Sequence, residues 1–179
     1  MLDFSNSKIL IVGDVMLDKY YFGKVDRISP EAPVPIVNIQ KEESRLGGAS
    51  NVANNIVSLG GHSLLCGVIG HDLFGKEIER ISRHKNIDTF LLKTSSPTIT
   101  KARIIGGKQQ IVRVDYEDKS ELNADNKKLF RDTISRILPE YDILVISDYG
   151  KGLISEDLCR YLIKLAHKYD KKVIIAVSY

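Results

Sequence analysis

The sequence is poor in cysteine and contains no long apolar run. Its two cysteines, Cys66 and Cys159, lie far apart in apolar segments, which predicts buried free thiols rather than a disulfide framework. No apolar run approaches the roughly 18 residues of a membrane-spanning helix, and residues 1–7 lack the basic and apolar regions of a signal peptide. These absences predict a cytoplasmic protein that has no membrane partner.

No block of like charge stands out either. The 26 lysine and arginine residues are scattered among 23 aspartate and glutamate residues, and the net charge is +3, so nucleic acid is not an expected partner. His71 and His84 have no partners at the spacing of metal ligands, so we expect both at the surface and no metal site. With 179 residues and 43% hydrophobic content, the chain is large enough for one domain with a sizeable core.

The glycine-rich stretch at residues 45–61 is the most informative part of the sequence. The pair Gly47-Gly48 allows a sharp turn and a close approach of the backbone to a ligand. Ser50 is a candidate N-cap for an amphipathic helix that Gly60-Gly61 ends. A helix N-terminus reached through glycines favours polar or anionic ligands. An ordinary loop between a strand and a helix explains the local pattern equally well.

Strand and helix patterns alternate along the chain. Short apolar, β-branched runs predict buried parallel strands, and amphipathic segments between them predict helices. This order predicts an α/β fold with a doubly wound, mostly parallel sheet flanked by helices. Strands are expected at about residues 8–14, 64–69, 141–146 and 172–177, and helices at about 51–59, 71–85, 125–138 and 155–169.

Asp14 follows the first strand, at the edge where open α/β sheets bind ligands. No Gly-x-Gly-x-x-Gly motif comes after it, which weighs against a dinucleotide-dependent oxidoreductase. Asp18, four residues further on, is as consistent with a solvated loop or an N-cap as with a ligand-binding role. The Gly70-x-Asp72-x-x-Gly75 arrangement is interpreted as a loop followed by a helix N-cap.

Two other regions predict a small accessory sheet, which we call the flap. Prolines within residues 19–40 confine strands to an edge or to a separate sheet, and residues 98–115 show the alternation and glycine turn of a β-hairpin. Lys101 and Arg103 on one strand share a face, as do Arg113 and Asp115 on the other. The register between the strands stays open, and a solvated polar face is the alternative to a binding face.

The spacing of glycine and asparagine over residues 47–70 resembles a known signature. The series Gly47-Gly48-x-x-Asn51-x-Ala53, followed by Gly60 and Gly70, resembles that of the ribokinase-like (PfkB) carbohydrate kinases. Segments 13–18, 27–35 and 147–152 narrow the resemblance to the heptose 7-phosphate kinase branch, which includes the kinase half of bifunctional heptose kinase/adenylyltransferases. The resemblance implies that residues 1–179 are the N-terminal part of a ribokinase-like kinase domain, with the β-flap at about 19–40 and 98–115 as its lid.

The resemblance also implies roles for individual residues. In that family the glycine pair, the asparagine and an aspartate after the first strand contact sugar hydroxyls, and a phosphate on the substrate needs arginine or lysine donors. Lys101 and Arg103 are the stronger phosphate candidates. The expected substrate-binding residues are Asp14, Asp18, Gly47, Gly48, Asn51, Lys101, Arg103, Arg113, Asp148 and Lys151.

The resemblance covers only about the first half of such enzymes. Their C-terminal half carries a Gly-Ala-Gly-Asp-type motif with the catalytic aspartate, the anion hole and most of the ATP pocket, and this chain lacks that motif. Residues 176–179 also depart from the Asp-Pro-Lys-like sequence of the branch. We therefore interpret the chain as an N-terminal fragment without catalytic residues, inactive alone. Full-length members use ATP and Mg²⁺, which this fragment is not expected to bind.

The function implied by the resemblance is phosphorylation of the anomeric hydroxyl of D-glycero-D-manno-heptose 7-phosphate, towards ADP-heptose for bacterial lipopolysaccharide or other surface polysaccharide. Three alternatives stay open: a non-catalytic remnant that binds a sugar phosphate, a remnant that only self-associates, and a family kinase for another sugar. The expected partners are a sugar phosphate and a second copy of the chain, paired through the flap as in related sugar kinases.

Overall fold

The computed structural model describes residues 4–118 and 120–177. Residues 178 and 179, part of the departure from the kinase branch, lie outside this range. No helix in the described ranges is long and apolar enough to cross a bilayer. The strands are β1 (Lys8–Gly13), β2 (Val15–Ile28), β3 (Pro35–Gly48), β4 (His62–Gly70), β5 (Asp88–Thr94), β6 (Thr100–Gly106), β7 (Gln109–Tyr116), β8 (Ile143–Asp148) and β9 (Lys172–Val177). The helices are α1 (Ala49–Ser58), α2 (Leu73–His84), α3 (Ala124–Ile137) and α4 (Glu156–Lys168).

The main sheet contains five parallel strands in the order β5-β4-β1-β8-β9. Its central strand buries side chains on both faces, because Leu10 and Val12 pack in one core with α3 and α4, whereas Ile11 packs in a second core with α1 and α2. Each fully buried side chain of this kind contributes about 1.5–3 kcal/mol. Helices therefore cover both faces, and the predicted doubly wound α/β fold is confirmed.

The edge strand β9 is much less covered than β1. The side chains of Ile174, Ile175 and Val177 are 54%, 47% and 51% exposed. Neighbouring residues of a strand point to opposite faces, so both faces of β9 are open within the described part of the chain. The strand is apolar like the buried strands, but it lacks their packing partners.

The second sheet is the flap, with four strands in the order β3-β2-β6-β7. β2 pairs antiparallel with β3 and parallel with β6, and β6 and β7 form the antiparallel hairpin that the sequence predicts. β2 and β3 are both longer than the proline pattern indicates. Because Pro30, Pro33 and Pro35 lie together in the connection and at the first residue of β3, they interrupt only the tip of the long ribbon.

Two local predictions are wrong, and one alternative that the sequence left open is excluded. The N-cap of α1 is Gly48 rather than Ser50, because β3 runs into α1 without a loop and Ser50 already lies inside the helix. Its hydroxyl donates instead to the carbonyl oxygens of Gly47 (2.5 Å) and Met16 (3.1 Å). Asp18 is neither a loop residue nor an N-cap, since β2 runs through it. Cys66 is buried as predicted, but Cys159, which lies on α4, is only partly buried at the margin of the core.

The Asp72 carboxylate fastens α2 to the segment that leads into β6. As predicted, it caps the helix, with Oδ1 accepting from the Gly75 N–H at 2.8 Å. It also accepts from the Thr98 hydroxyl (2.8 Å) and the Thr98 N–H (2.7 Å), and the same hydroxyl accepts from the Gly70 N–H (2.8 Å). Desolvation acts to raise the pKa of Asp72, but the hydrogen bonds from Thr98 and Gly75 outweigh it and hold the pKa below its ordinary value.

We predict that Asp72→Ala lowers the free energy of unfolding by about 2–4 kcal/mol, because it removes a helix cap and leaves buried donors of Thr98 unpaired. Asp72→Asn keeps one acceptor oxygen and should cost less. Since the folded pKa is lowered, the stability supplied by the carboxylate is present above the unfolded pKa of 3.8 and is lost as the pH falls below it. Urea unfolding at several pH values measures both effects, and an unchanged midpoint for Asp72→Ala would contradict the prediction.

Candidate functional site

Asp14 lies buried where β1 ends, beside the end of β8. Its backbone N–H donates to the Ser147 carbonyl oxygen at 3.1 Å. Its Oδ2 accepts hydrogen bonds from the N–H groups of Tyr149 (2.8 Å) and Lys151 (3.1 Å) in the loop that follows β8. The residue is 1% exposed, and its other oxygen, Oδ1, has no hydrogen-bond partner among the described residues. One half of the carboxylate is thus held by the fold and the other half is left unpaired.

This environment disfavours the ionised carboxylate. Burial raises the pKa of Asp14 above its ordinary value, and the nearby Asp148 carboxylate adds to the rise. The hydrogen bonds from the Tyr149 and Lys151 amides act in the opposite direction without cancelling the effect of burial. An ionised carboxylate here would gain stability from one further donor to Oδ1.

The glycine pair packs against the backbone of one acidic residue and the side chain of another. Gly48 has φ of 55°, and a Cβ added there would lie 2.4 Å from the Asp14 carbonyl oxygen. A Cβ added at Gly47 would lie 2.5 Å from Oδ2 of Asp18. The Ala49 N–H also donates to the Asp14 carbonyl oxygen at 2.9 Å. The pair is therefore required where the end of β3 meets Asp14 on one side and Asp18 on the other.

The flap carries a charged face next to Gly47. Asp18 is paired in register with Lys101, and its Oδ1 accepts from Nη1 of Arg103 at 2.5 Å, with both side chains about one-fifth exposed at 21% and 22%. Arg113 lies opposite Arg103 across the β6–β7 hairpin and forms an ion pair with Asp115 at 2.8 Å. The register that the sequence left open therefore puts these groups on one face, since directly paired residues share a face.

A cavity of about 330 Å³ opens beside Asp14. It lies at the carboxyl ends of β1, β4 and β5, and the segments after β5, β7 and β8 complete its wall. Lys151 also lines it, and its ammonium group forms an ion pair with Glu117, just after β7. Thr94 lines the cavity, and its hydroxyl, like Oδ1 of Asp14, is buried without a partner among the described residues.

The ten predicted site residues fall into three groups. Asp14, Gly48, Asp148 and Lys151 surround the end of β1, and the Asp148 carboxylate accepts from the Gly150 N–H at 2.8 Å. Gly47, Asp18, Lys101, Arg103 and Arg113 form the adjoining face of the flap. Asn51 belongs to neither group: it lies in the first turn of α1, three residues after Gly48, and its exposed side chain forms no hydrogen bond with a described residue.

Sequence reasoning missed the cavity wall formed by Thr94, Ser96 and Asp118, and also Glu117, which pairs with the cavity-lining Lys151. The Asp118 carboxylate accepts from the Ser96 hydroxyl at 3.3 Å, which joins the segments after β5 and β7. These residues lie in short polar connections without a motif. Their only signal is position, because the connection after a parallel strand lies at the ligand-binding edge of such a sheet.

The glycine requirement can be tested with a matched pair of alanine variants. Gly48 and Gly107 have similar positive φ values, 55° and 64°, but a Cβ at Gly107 would meet no atom within 4 Å. Gly107→Ala should cost about 1–2 kcal/mol of unfolding free energy from backbone strain alone. Gly48→Ala should cost at least about 2 kcal/mol more, because backbone must also move away from the Asp14 carbonyl oxygen. Equal costs in urea unfolding would contradict a close-packed role for Gly48.

Comparison with known proteins agrees with the architecture. Residues 6–179 match the model of the pfkB family carbohydrate kinases. The chain is 46% identical over 169 residues to a Helicobacter pylori protein named Bifunctional protein HldE, covering 93% of this chain and 37% of that protein. It is 46% identical over 151 residues to a Bordetella bronchiseptica protein named D-beta-D-heptose 7-phosphate kinase, covering 84% of this chain and 48% of that protein.

Solved structures show the same fold at lower identity. A possible 1-phosphofructokinase from Thermotoga maritima superposes with a TM-score of 0.74 at 21% identity, covering 96% of this chain and 54% of that one. Phosphofructokinase-2 from Escherichia coli in complex with fructose-6-phosphate gives a TM-score of 0.70 at 20% identity, covering 100% and 56%. The chain thus spans about half the length of these relatives or less. It belongs to the pfkB family of carbohydrate kinases.

Proposed function

We propose that this chain is the sugar-binding part of a kinase that phosphorylates the anomeric hydroxyl of D-glycero-D-manno-heptose 7-phosphate. The observation that carries the proposal is the buried Asp14 carboxylate, whose Oδ1 lacks a partner in the described structure and lies beside a cavity of about 330 Å³. Buried polar groups are normally hydrogen-bonded. A sugar hydroxyl in the cavity supplies the missing donor.

The flap supplies the complementary chemistry for a phosphate. Lys101 forms no ion pair with a described residue, and Arg103 uses only Nη1 in its contact with Asp18. Cationic side chains with free N–H groups bind phosphate oxygens through short, charge-assisted hydrogen bonds. An acceptor for hydroxyls at Asp14 and donors for phosphate on the flap match the two ends of a sugar phosphate.

The choice of heptose 7-phosphate rests on the relatives. Proteins named for this substrate and for a bifunctional role are 46% identical to the chain, and the segments that mark the branch include the Asp14 and Lys151 regions of the site. In the proposed role the protein acts in the cytoplasm, in agreement with its two free cysteines. Its product leads towards ADP-heptose for bacterial surface polysaccharide.

Kinases of this family usually use ATP as the phosphoryl donor and a divalent metal ion as a cofactor. Among residues 4–118 and 120–177, no group of three or more His, Cys, Asp or Glu side chains is arranged to hold a metal ion. Sugar binding is the role that we propose for this chain.

Asp14→Asn tests the sugar site. Asparagine has an NH2 group in place of one carboxylate oxygen, and its remaining oxygen can still accept hydrogen bonds from the Tyr149 and Lys151 amides. Because the NH2 group cannot accept a hydrogen bond from a sugar hydroxyl, the affinity for D-glycero-D-manno-heptose 7-phosphate should fall about 10- to 100-fold. Calorimetric titration measures this, with Asp26→Asn, an exposed change on β2, as the control. Unchanged affinity in Asp14→Asn would remove Asp14 from the site. Equally tight binding of ribose or fructose 6-phosphate by the wild type would indicate another sugar.

The same variant also tests the raised pKa of Asp14, through the pH dependence of the unfolding free energy. The pKa of Asp14 is higher in the folded chain than in the unfolded chain, where it is 3.8. The wild type therefore loses stability as the pH rises from 3.8 through the folded pKa. Asparagine does not titrate, so the variant has no such loss. The unfolding free energy of Asp14→Asn minus that of the wild type should therefore be larger at pH 7 than at pH 3. Urea unfolding at both pH values measures this difference, and a constant difference would contradict it.

We further propose that the flap pairs with the flap of a second copy. Apolar side chains are exposed along β7 and β2, including Val112 at 45%, Val114 at 39% and Tyr116 at 46%. Val112, Val114 and Tyr116 share one face of β7. Tyr116 also packs on the ring of Phe74 on α2, with centroids 5.4 Å apart, so the open part of this face is at Val112 and Val114. Small sheets with an uncovered apolar face are rarely stable alone, and a second flap is the simplest cover. This self-association stands as a second function whether or not the sugar site is occupied.

Val112→Glu tests this pairing, because a buried charge at the contact should shift the chain from dimer to monomer at micromolar concentration. Light scattering gives the mass in solution. Leu59→Glu places the same charge at an apolar side chain that is 65% exposed at the end of α1, and it should leave the dimer intact. A wild-type chain that stays monomeric would contradict the proposal.

A further inference from the structure

We propose that Tyr20 is a positioning residue: its ring holds the Arg103 guanidinium in the orientation that receives the phosphate of the substrate, so Tyr20 sets the preference for phosphorylated over unphosphorylated sugars. This inference rests on the proposed function, with Arg103 as a phosphate ligand. It concerns a residue that the sequence motifs leave without a role.

Tyr20 and Arg103 are direct neighbours on the flap. They are paired in the parallel register of β2 and β6, and the guanidinium carbon lies 5.2 Å from the centre of the tyrosine ring. This distance is within the range of a cation–π contact. The ring is itself fixed by stacking on Phe22, with centroids 6.0 Å apart and planes 10° apart. Arg103 thus lies against a rigid aromatic surface.

The contacts of Arg103 leave one edge of its guanidinium group free. Nη1 donates to Oδ1 of Asp18 at 2.5 Å and to the Lys101 carbonyl oxygen at 3.4 Å. Nε and Nη2 donate to no residue in the described ranges. The N–H groups of Nε and Nη2 point in parallel, and this fork matches two oxygens of a phosphate. Asp18 and Tyr20 together hold the group while its binding edge stays open.

The surrounding charges point to an anionic ligand at this edge. Arg113 lies directly opposite Arg103 in the β6–β7 register, and the Arg45 guanidinium carbon lies 4.8 Å from the same tyrosine ring. Like charges at opposite positions of a sheet are destabilising. Asp115 pairs with Arg113 and Glu43 pairs with Arg45, so the counter-charge next to Arg103 is the single carboxylate of Asp18. A dianion such as a phosphate ester offsets the remaining repulsion.

Tyr20 contributes something that Asp18 does not. A free arginine side chain loses much rotamer freedom when it binds a ligand, and holding it beforehand lowers that entropic cost. A carboxylate holds the guanidinium but also competes with phosphate for it electrostatically. A neutral ring restrains the group and leaves its positive charge available. The effect of Tyr20 is therefore on affinity for the phosphate, with little effect on the sugar hydroxyls.

The test compares Tyr20→Leu and Tyr20→Phe with Tyr21→Leu in the full 179-residue chain. Tyr21 is the matched control, because its ring also lies under a cation, Lys19 at 5.4 Å, but on the opposite face of β2. Calorimetry is run with D-glycero-D-manno-heptose 7-phosphate and with the same heptose without phosphate. Tyr20→Leu should weaken binding of the phosphorylated sugar about three- to tenfold. Binding of the unphosphorylated sugar should be unchanged, and Tyr20→Phe and Tyr21→Leu should bind both like the wild type.

Equal weakening for both sugars, or none for either, in Tyr20→Leu would overturn the inference. Arg103→Gln distinguishes a failure of the inference about Tyr20 from a failure of the proposed function. If this variant keeps the preference for the phosphorylated sugar, Arg103 does not bind the phosphate and the proposed phosphate site is wrong. If Arg103→Gln loses the preference and Tyr20→Leu keeps it, only the role of Tyr20 is wrong.

A second measurement does not depend on ligand binding. NMR relaxation of the Arg103 Nε–H group reports its order directly in the free chain, and this order should fall in Tyr20→Leu and persist in Tyr20→Phe. Tyr20→Met, with an unbranched side chain, replaces Tyr20→Leu if the leucine variant does not fold. An equally ordered Arg103 side chain in the ring-deleted variant would overturn the inference even if the wild type binds neither sugar.

Discussion

The contact between the Asp14 carboxylate and the amides after β8 is the constraint on which the site and both sheets depend. A buried carboxylate is tolerated only where donors are fixed around it, and here they come from Tyr149 and Lys151, 135 and 137 residues away in the chain. The backbone of Asp14 is bound as well, to Ser147 on β8 and to Ala49 at the start of α1. Three chain segments therefore meet at one residue, and displacing the loop after β8 would leave the carboxylate without its donors.

The same residue joins the flap to the main sheet. β2 begins immediately after Asp14, and β3 ends at Gly48, directly before α1. Both long strands of the flap are thus continuous with elements of the main domain, with no flexible loop between. Close packing of Gly48 against the Asp14 carbonyl oxygen removes the remaining freedom at the junction. As a result, the backbone at Asp14 sets the direction of the charged flap face together with the Asp72–Thr98 contacts, which fasten the segment before β6.

Local sequence patterns predicted the strands and helices well. They failed where a contact depends on the pairing of strands that are far apart in the chain. The apolar runs located the main strands, the helical periods located the helices, and the Asp72 cap followed from its spacing. Ser50 was misassigned because capping preferences describe a helix preceded by a loop, and the unforeseen length of β3 removed that loop. The Asp18–Arg103 contact joins residues 85 positions apart, and the parallel pairing of β2 with β6 that creates it has no local signal. The cavity wall escaped prediction for the same reason.

On the proposed function, two unfavourable features of the chain favour a sugar phosphate over either of its parts as the ligand. Oδ1 of Asp14 is a buried acceptor without a partner in the described structure, and Arg103 lies opposite another arginine. A sugar without phosphate can relieve only the first, and inorganic phosphate only the second. Asp14 packs against Gly48, and Asp18, which holds Arg103, packs against Gly47. One ligand that spans this turn would therefore relieve both features while losing its translational freedom once. On the proposed function, selectivity for a phosphorylated sugar therefore follows from the geometry of the glycine pair as much as from the charges themselves.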